Sequence, residues 1–324
     1  MGMPRLVMKF GGSSIADAGK ISRAAALIVA PALSEQPVVV VSALEGVTDS
    51  LIAMADAAAD GRPYGDMLDA LSRMHKNTAA ELGLDPHLLD RDISDLARRL
   101  ELVHGAGAGR KDLKDAVMAF GEVASARLFA GALDRLGIGA DARMSYEIGF
   151  ITDSNHGSAN VLAGAYGAIR ESLANQRRIQ VVTGFIGMDG KGAITTTGRG
   201  GSSYTATVIG AAISAREVQI WTDVDGVMTG NPKINSGATR IGSMTYEAAQ
   251  RLAAAGAKVL PPKSLGPAVE YGVAIRVLNT FNPECEGTLI SREAGRMGLA
   301  KGVAGVRGLE RREGGAGRKK EHQA

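Results

Sequence analysis

At 324 residues, with 45% hydrophobic residues and 43 glycines against 10 prolines, the chain can bury a large core, which excludes a disordered or collagen-like protein. The net charge is +3, but residues 307–324 carry six Arg or Lys against three acids, so the body is neutral and nothing argues for nucleic-acid binding. A single cysteine, Cys285, excludes an internal disulfide framework, and without a cationic leader or an apolar run of about 18 residues a soluble, cytoplasmic protein with no membrane contact is expected.

Arg5 to Phe10 predicts a short buried strand, broken by Gly11-Gly12-Ser13-Ser14 before a helix over about 15–30. Glycines let backbone N–H groups approach an anion closely, and Lys9 stands at the lip of this turn. It reads either as an ammonium for a phosphate or as a lysine snorkelling from a strand end. The turn lacks the Gly-Lys-Ser/Thr ending of a P-loop. Pro37 to Ser42, PVVVVS, reads as a parallel strand buried on both faces. Ser42 and Thr48 follow its carboxyl end, where open α/β sheets bind ligands; the alternative is a helix cap by Thr48 or Asp49. Residues 51–102 predict helix with a weak break at Gly83 to Pro86, and after GAGAG a second long helix runs from Asp112 to about Leu136. There Glu122 falls among apolar residues. A buried acid needs a cation, here a ligand ammonium or Arg127.

Strands are expected over 138–143 and 147–153, a helix over 158–173, and a buried strand over 178–183. That strand leads to a hairpin turning on Asp189-Gly190 and a Gly-rich loop, Gly198-Arg199-Gly200-Gly201. The helix from Tyr204 to Ala212 turns its unpaired N–H groups back at this loop, and Arg199 adds a donor fork suited to a carboxylate or phosphate. EVQIWT, 217–222, delivers Asp223 and Asp225 to a carboxyl edge, where they order a metal-nucleotide or build an Asx turn with Gly226. Asn231-Pro232-Lys233 forms a turn, a helix covers 245–255 and ends at Gly256-Ala257-Lys258, and Pro261-Pro262 starts another. Strands at 273–278 and 288–291 close the fold, with a disordered tail beyond Gly298. The histidines lie in polar or loop contexts and most are expected at the surface. No His/Cys cluster has metal-ligand spacing, so no metal ligand set is assigned.

Two anion loops at strand ends, a buried carboxylate and an arginine between glycines describe an enzyme that holds two anions against each other, as phosphoryl transfer requires. In order, VMKFGGSS, SALEGVTDS, FGEVASARL, GFIGMDGKGAITTTGRGGSSYTA, WTDVDGVMTGNP and GAKVLPP resemble segments of the aspartate kinases in the amino acid kinase superfamily. The resemblance covers residues 5 to about 292. It implies a three-layer αβα sandwich around an open, mainly parallel sheet of about eight strands, spanning 1–298, with an amino-acid-binding part over about 1–200 and a nucleotide-binding part over about 201–298. The implied reaction is ATP-dependent phosphorylation of L-aspartate to 4-phospho-L-aspartate, with Mg2+ accompanying ATP. By motif position, Lys9, Arg199 and Lys258 would be catalytic, and Ser42, Thr48, Glu122, Phe185, Arg199 and Ser202 would hold the amino acid. Lys9, Gly11, Gly12, Ser13, Thr222, Asp223, Met228, Lys233 and Lys258 would contact the nucleotide.

Three features depart from that pattern. Ser203 stands where the family usually has Asp, and Pro261 where it usually has His, a change expected to alter a helix start. The residues after Ser291 lack the strand pattern of the C-terminal regulatory domains of ACT type that most members carry. Insensitivity to lysine and threonine is therefore expected, with a homodimer or higher homo-oligomer as the assembly and a separate regulatory subunit as the source of any feedback. Two other readings are a kinase of the same fold acting on another small carboxylate or amino acid, which Ser203 supports, and a non-catalytic nucleotide-binding regulator of a partner kinase.

Overall fold

The structure, a computed structural model, describes residues 6–230, 237–254 and 260–294. The expectations for Lys233, Lys258 and the 299–324 tail lie outside the described residues. Eight strands form one sheet: β1 (Leu6–Phe10), β2 (Val38–Val41), β3 (Ala140–Arg143), β5 (Ile179–Thr183), β8 (Glu217–Thr222), β9 (Ser243–Met244), β10 (Ala274–Asn279) and β11 (Thr288–Ile290), in spatial order β3-β5-β2-β1-β8-β10-β11-β9. All neighbours are parallel except β10 with β11. The three-layer, mainly parallel architecture follows from the strand composition. Leu6, Met8, Phe10, Val39 and Val41 belong to one core, and Val7, Val38 and Val40 to a second. Alternate residues of a pleated strand point to opposite faces, so strands apolar at every position need helices on both sides.

One core is covered by α1 (Ala18–Ala26), α3 (Val47–Ala59), α4 (Gly65–Glu81), α5 (Asp90–Ala106), α6 (Lys111–Met118) and α7 (Phe120–Arg135), with the short α2 (Val29–Ser34) leading into β2. The other is covered by α8 (Ala165–Leu173), α9 (Gly201–Ala212), α10 (Tyr246–Ala254) and α11 (Pro262–Tyr271). A smaller sheet joins β4 (Ile151–Thr152) to the antiparallel hairpin of β6 (Ile186–Asp189) and β7 (Ile194–Thr196). Asp189 makes the predicted turn, its Oδ1 accepting from the N–H groups of Lys191 and Ala193.

Several boundaries differ from the sequence reading. The 51–102 helix also breaks at 60–64, and the 112–136 helix breaks at Ala119. The strand expected over 147–153 shrinks to β4, Ile151–Thr152, with a 3-10 turn, Ser145–Ile148, before it, and helix begins at Ala165 rather than near 158. The 111–135 stretch is long and apolar enough to cross a bilayer by composition, but 72% of its most apolar window is buried inside the fold. Lone polarity also misled the reading of the histidines: His75 is fully buried on α4, its Nδ1 bonded to the Leu71 carbonyl, and His156 is paired with Asp115.

Candidate functional site

Five parallel strands, β5, β2, β1, β8 and β10, end along one edge of the sheet, and hydrogen bonds continue past their ends. Ser42 N–H donates to Phe10 O at 3.1 Å, Gly184 N–H to Val41 O at 2.8 Å, Gly11 N–H to Trp221 O at 3.2 Å and Thr280 N–H to Thr222 O at 2.9 Å. This carboxyl edge is where open α/β sheets bind ligands. It gathers Lys9, the Gly11–Ser14 turn, Ser42, Phe185 and Asp223.

The turn after β1 is stitched to β8. Ser14 Oγ donates to Trp221 O at 3.3 Å and accepts from Thr280 Oγ1 at 2.8 Å. Because the Gly11 N–H already serves Trp221 O, it is not an anion donor, contrary to the expectation. The Gly12 and Ser13 N–H groups carry no hydrogen bond among the described residues and remain for that role. A β-carbon on Gly11 would lie 3.2 Å from Lys9 Nζ, and one on Gly12 would lie 3.0 Å from Ala43 O, so the glycines let the ammonium and the 43–45 backbone close on the turn.

Glu122 sits in the first turn of α7, 2% exposed. Gly121 brings it there: a β-carbon at 121 would fall 2.7 Å from Ala43 Cβ, so only glycine lets α7 settle on the 43–47 turn. Glu122 Oε1 accepts the Ala43 N–H at 3.0 Å, while Oε2 is buried without a partner. Burial pushes the Glu122 carboxyl up to about 8, opposed by the Ala43 hydrogen bond and the Lys9 charge. Burial likewise lowers the Lys9 ammonium to about 8, opposed by Glu122. Arg127 is not the partner of Glu122; it pairs with Asp92 at 2.7 Å, beside a cavity of about 570 Å³ that no predicted site residue lines.

Neither Thr48 nor Asp49 caps α3, whose N-cap is Gly46 at φ +78° with no side-chain cap bond. Ser42 and Thr48 are half-buried, and their hydroxyls make no hydrogen bond among the described residues. Phe185 is held at φ +64°. Its carbonyl accepts from Thr197 N–H at 2.8 Å and Thr197 Oγ1 at 2.9 Å, and its N–H donates to Thr205 Oγ1 at 3.1 Å. A bulky residue in the left-handed region persists only where its surroundings dictate it, and here it ties the β5 end to the Gly-rich loop.

In that loop Gly198 and Gly200 take φ +82° and +75°, and Arg199 is exposed with no hydrogen bond or ion pair among the described residues. The helix begins three residues earlier than read, at Gly201. Its first N–H groups are mostly used: Gly201 donates to Gly198 O, and Ser203 and Tyr204 donate to Gly200 O. Only the Ser202 N–H is left toward the loop. Ser202 and Ser203 are both buried. Pro261 does more than start α11: a β-carbon on Gly200 would lie 2.0 Å from Pro261 Cγ, so this proline rests directly on the arginine loop.

On the β8 side, Thr222 Oγ1 donates to Asp223 Oδ1 at 3.0 Å, and Asp223 is exposed. Asp225 is tied to structure through one oxygen, its Oδ1 accepting from Asn279 Nδ2 at 2.8 Å and Asn282 Nδ2 at 3.0 Å, so the two aspartates stand in different surroundings. Met228 is half-buried beyond it, bridged to Arg240. The sequence reading passed over Asp115, Lys263, Thr280 and the Ala43 N–H. Only Asp115 left a signal, as an acid two residues before the core residue Val117.

The sequence matches the profile of the Amino acid kinase family over residues 4–279. It is 39% identical over 299 residues to chloroplastic Aspartokinase 3 of Arabidopsis thaliana, an alignment covering 88% of this chain and 53% of that protein. It is 33% identical over 307 residues to the Lysine-sensitive aspartokinase 3 of Escherichia coli, covering 92% and 67%. Among solved structures, E. coli aspartokinase III in complex with aspartate and ADP superposes with a TM-score of 0.79 at 31% identity, over 89% of this chain and 64% of that one. The chain spans about half the length of the Arabidopsis relative.

Proposed function

The chain belongs to the amino acid kinase family, and on that premise we propose that it transfers the γ-phosphoryl group of ATP to the side-chain carboxylate of L-aspartate, giving 4-phospho-L-aspartate and ADP. The observation that carries this reading is Glu122 Oε2, buried and unpartnered beside the Lys9 charge. A buried acceptor of this kind fits a ligand ammonium, whose charge would drive the carboxyl to ionise. Arg199, free among the described residues, would take a carboxylate through its fork. Ser42, Thr48, Phe185 and Ser202 would line the amino acid. The related E. coli enzyme was solved with aspartate and ADP, which supports the same pair of ligands.

In the step itself an oxygen of the side-chain carboxylate forms a bond to the γ-phosphorus, and the bond from that phosphorus to the β–γ bridging oxygen breaks, releasing ADP. The nucleophile is already an anion, so no general base is required. The work is positioning and charge stabilisation. Lys9 would act on the transferring group with the Gly12 and Ser13 N–H groups, while Thr222, Asp223, Met228, Lys233 and Lys258 would contact the nucleotide. Mg2+ bound with ATP supplies charge neutralisation on the phosphates. Asp223 would be the carboxylate to hold it, since it is exposed while Asp225 is less exposed and its Oδ1 is bonded to two asparagines. A division into an amino-acid part before about residue 200 and a nucleotide part after it belongs to the same reading.

A second reading, a kinase of another small amino acid or carboxylate, is favoured by Ser203, buried beside Arg199 where an acid is usual. The test is ADP release with L-aspartate, L-glutamate and close analogues, with hydroxylamine trapping of the acyl phosphate. Aspartate should give ADP and hydroxamate in equal amounts. Turnover with another carboxylate and none with aspartate would overturn the first reading.

A further inference from the structure

The segment that leads into Arg199 is gripped by two side chains of opposite charge from opposite faces of the sheet. Asp115 on α6 is 1% exposed. Its carboxylate takes donors only: Thr196 N–H at 2.9 Å, Thr196 Oγ1 at 2.7 Å, Gly157 N–H at 3.0 Å and His156 Nδ1 at 3.0 Å. Lys263 on α11 takes acceptors only: the carbonyls of Ala159 at 2.6 Å, Thr197 at 3.0 Å and Ser158 at 3.4 Å, with its Nζ 4.8 Å from the centre of the Tyr204 ring. Both side chains therefore bind the same two backbone segments, 156–159 and 196–197. Those segments are themselves joined by Ala159 N–H to Thr196 O at 2.9 Å. Gly198 follows at once, so close to the first segment that a β-carbon there would lie 3.1 Å from Gly157 O.

We propose that Asp115 and Lys263 are positioning residues for Arg199, an acid and a base that clamp Thr196 and Thr197 so that the exposed guanidinium starts from a fixed base. The inference rests on the reading of Arg199 as the carboxylate-binding group. Arg199 has no partner of its own among the described residues and lies between glycines at positive φ, so its placement depends on what anchors the loop. A backbone held by a carboxylate on its N–H groups and by an ammonium on its carbonyls draws on the class of hydrogen bond that charged side chains make strongest. The clamp also draws on both sides of the molecule. α6 continues through Ala119 into the helix of Glu122, and the N-cap of α11 is Pro261, the proline that rests on Gly200.

The experiment compares wild type, Lys263→Met, Asp115→Asn and Lys263→Arg, each also in an Arg199→Ala background. Amide exchange of residues 195–201 in the ligand-free protein should accelerate about 10-fold or more in Lys263→Met and Asp115→Asn. The KM for the amino acid should rise about 10-fold with the KM for ATP within about twofold, and Lys263→Arg should recover most of the loss. In the Arg199→Ala background the same changes should cost less than about twofold, because the loop then has nothing to place. Unchanged exchange in the loop, or losses that multiply with Arg199→Ala, would overturn the clamp. Lys263 is half-exposed, so its variant keeps the test decisive if Asp115→Asn does not fold. The exchange measurement needs no substrate, so a wild type that phosphorylates no amino acid would defeat the proposed function while exchange still decides the clamp.

Discussion

The Glu122 carboxyl and the Lys9 ammonium, both withdrawn from water, stabilise each other's charged forms while burial opposes both. The pair dictates an unusual pH response. Glu122 is raised from 4.5 to about 8, so its contribution to stability is fully present below pH 4.5 and is lost as pH rises through about 8. Lys9 is lowered from 10.5 to about 8, so its contribution is present above pH 10.5 and is lost as pH falls through about 8. The two add to a minimum near pH 8, with a depth on the order of a few kcal/mol. Urea midpoints of wild type and Glu122→Gln at pH 5, 6.5 and 8 check this: the wild-type midpoint should fall across the range and that of the variant should stay flatter. Parallel profiles would remove Glu122 as the titrating group.

Lys9→Met should fold and still bind ATP, but turn over about 10²-fold slower or worse, because a charge aimed at the transferring group acts mainly in the transition state. Nucleotide titration and steady-state rates on one preparation decide it. Near wild-type turnover would make Lys9 a strand-end lysine and nothing more.

Gly200→Ala should be damaging out of proportion to one methyl group. The residue sits at φ +75°, and its new carbon would fall 2.0 Å from Pro261 Cγ, so either α11 or the arginine loop must move. A stability loss of about 1–3 kcal/mol should accompany a higher KM for the amino acid. Wild-type values in both denaturation and kinetics would mean that the loop and Pro261 are not in contact in solution.

Ser203→Asp places a carboxylate in the first turn of α9, where a helix N-terminus favours negative charge, beside the loop of Arg199. If aspartate is the substrate, activity with aspartate should be kept or improved. If the wild type prefers another substrate, the variant should shift preference toward aspartate. The ratio of kcat/KM values for aspartate and glutamate measures it, and an unchanged ratio would show that position 203 does not set specificity.

What the sequence determined by itself is the part that local pattern encodes. Strands apolar at every position, such as Val38–Val41, can be satisfied only between two helical layers, so the sandwich and its ligand-binding edge were legible from composition and order. Glycine runs after β1 and β7, with Lys9 and Arg199 beside them, marked the anion loops for the same local reason. Tertiary structure alone decided which groups meet across long separations. Nothing near Glu122 in sequence indicates that its partner is the backbone N–H of Ala43 rather than Arg127, because that bond depends on how closely Gly121 lets α7 approach a distant turn. Nor does any local signal reveal that the Gly11 N–H is already used by Trp221, that Asp225 is held by Asn279 and Asn282, or that Asp115 and Lys263 grip the same segments. Side-chain chemistry states what a residue can bind; only packing fixes which of its possible partners comes within about 3 Å, the distance at which a hydrogen bond forms.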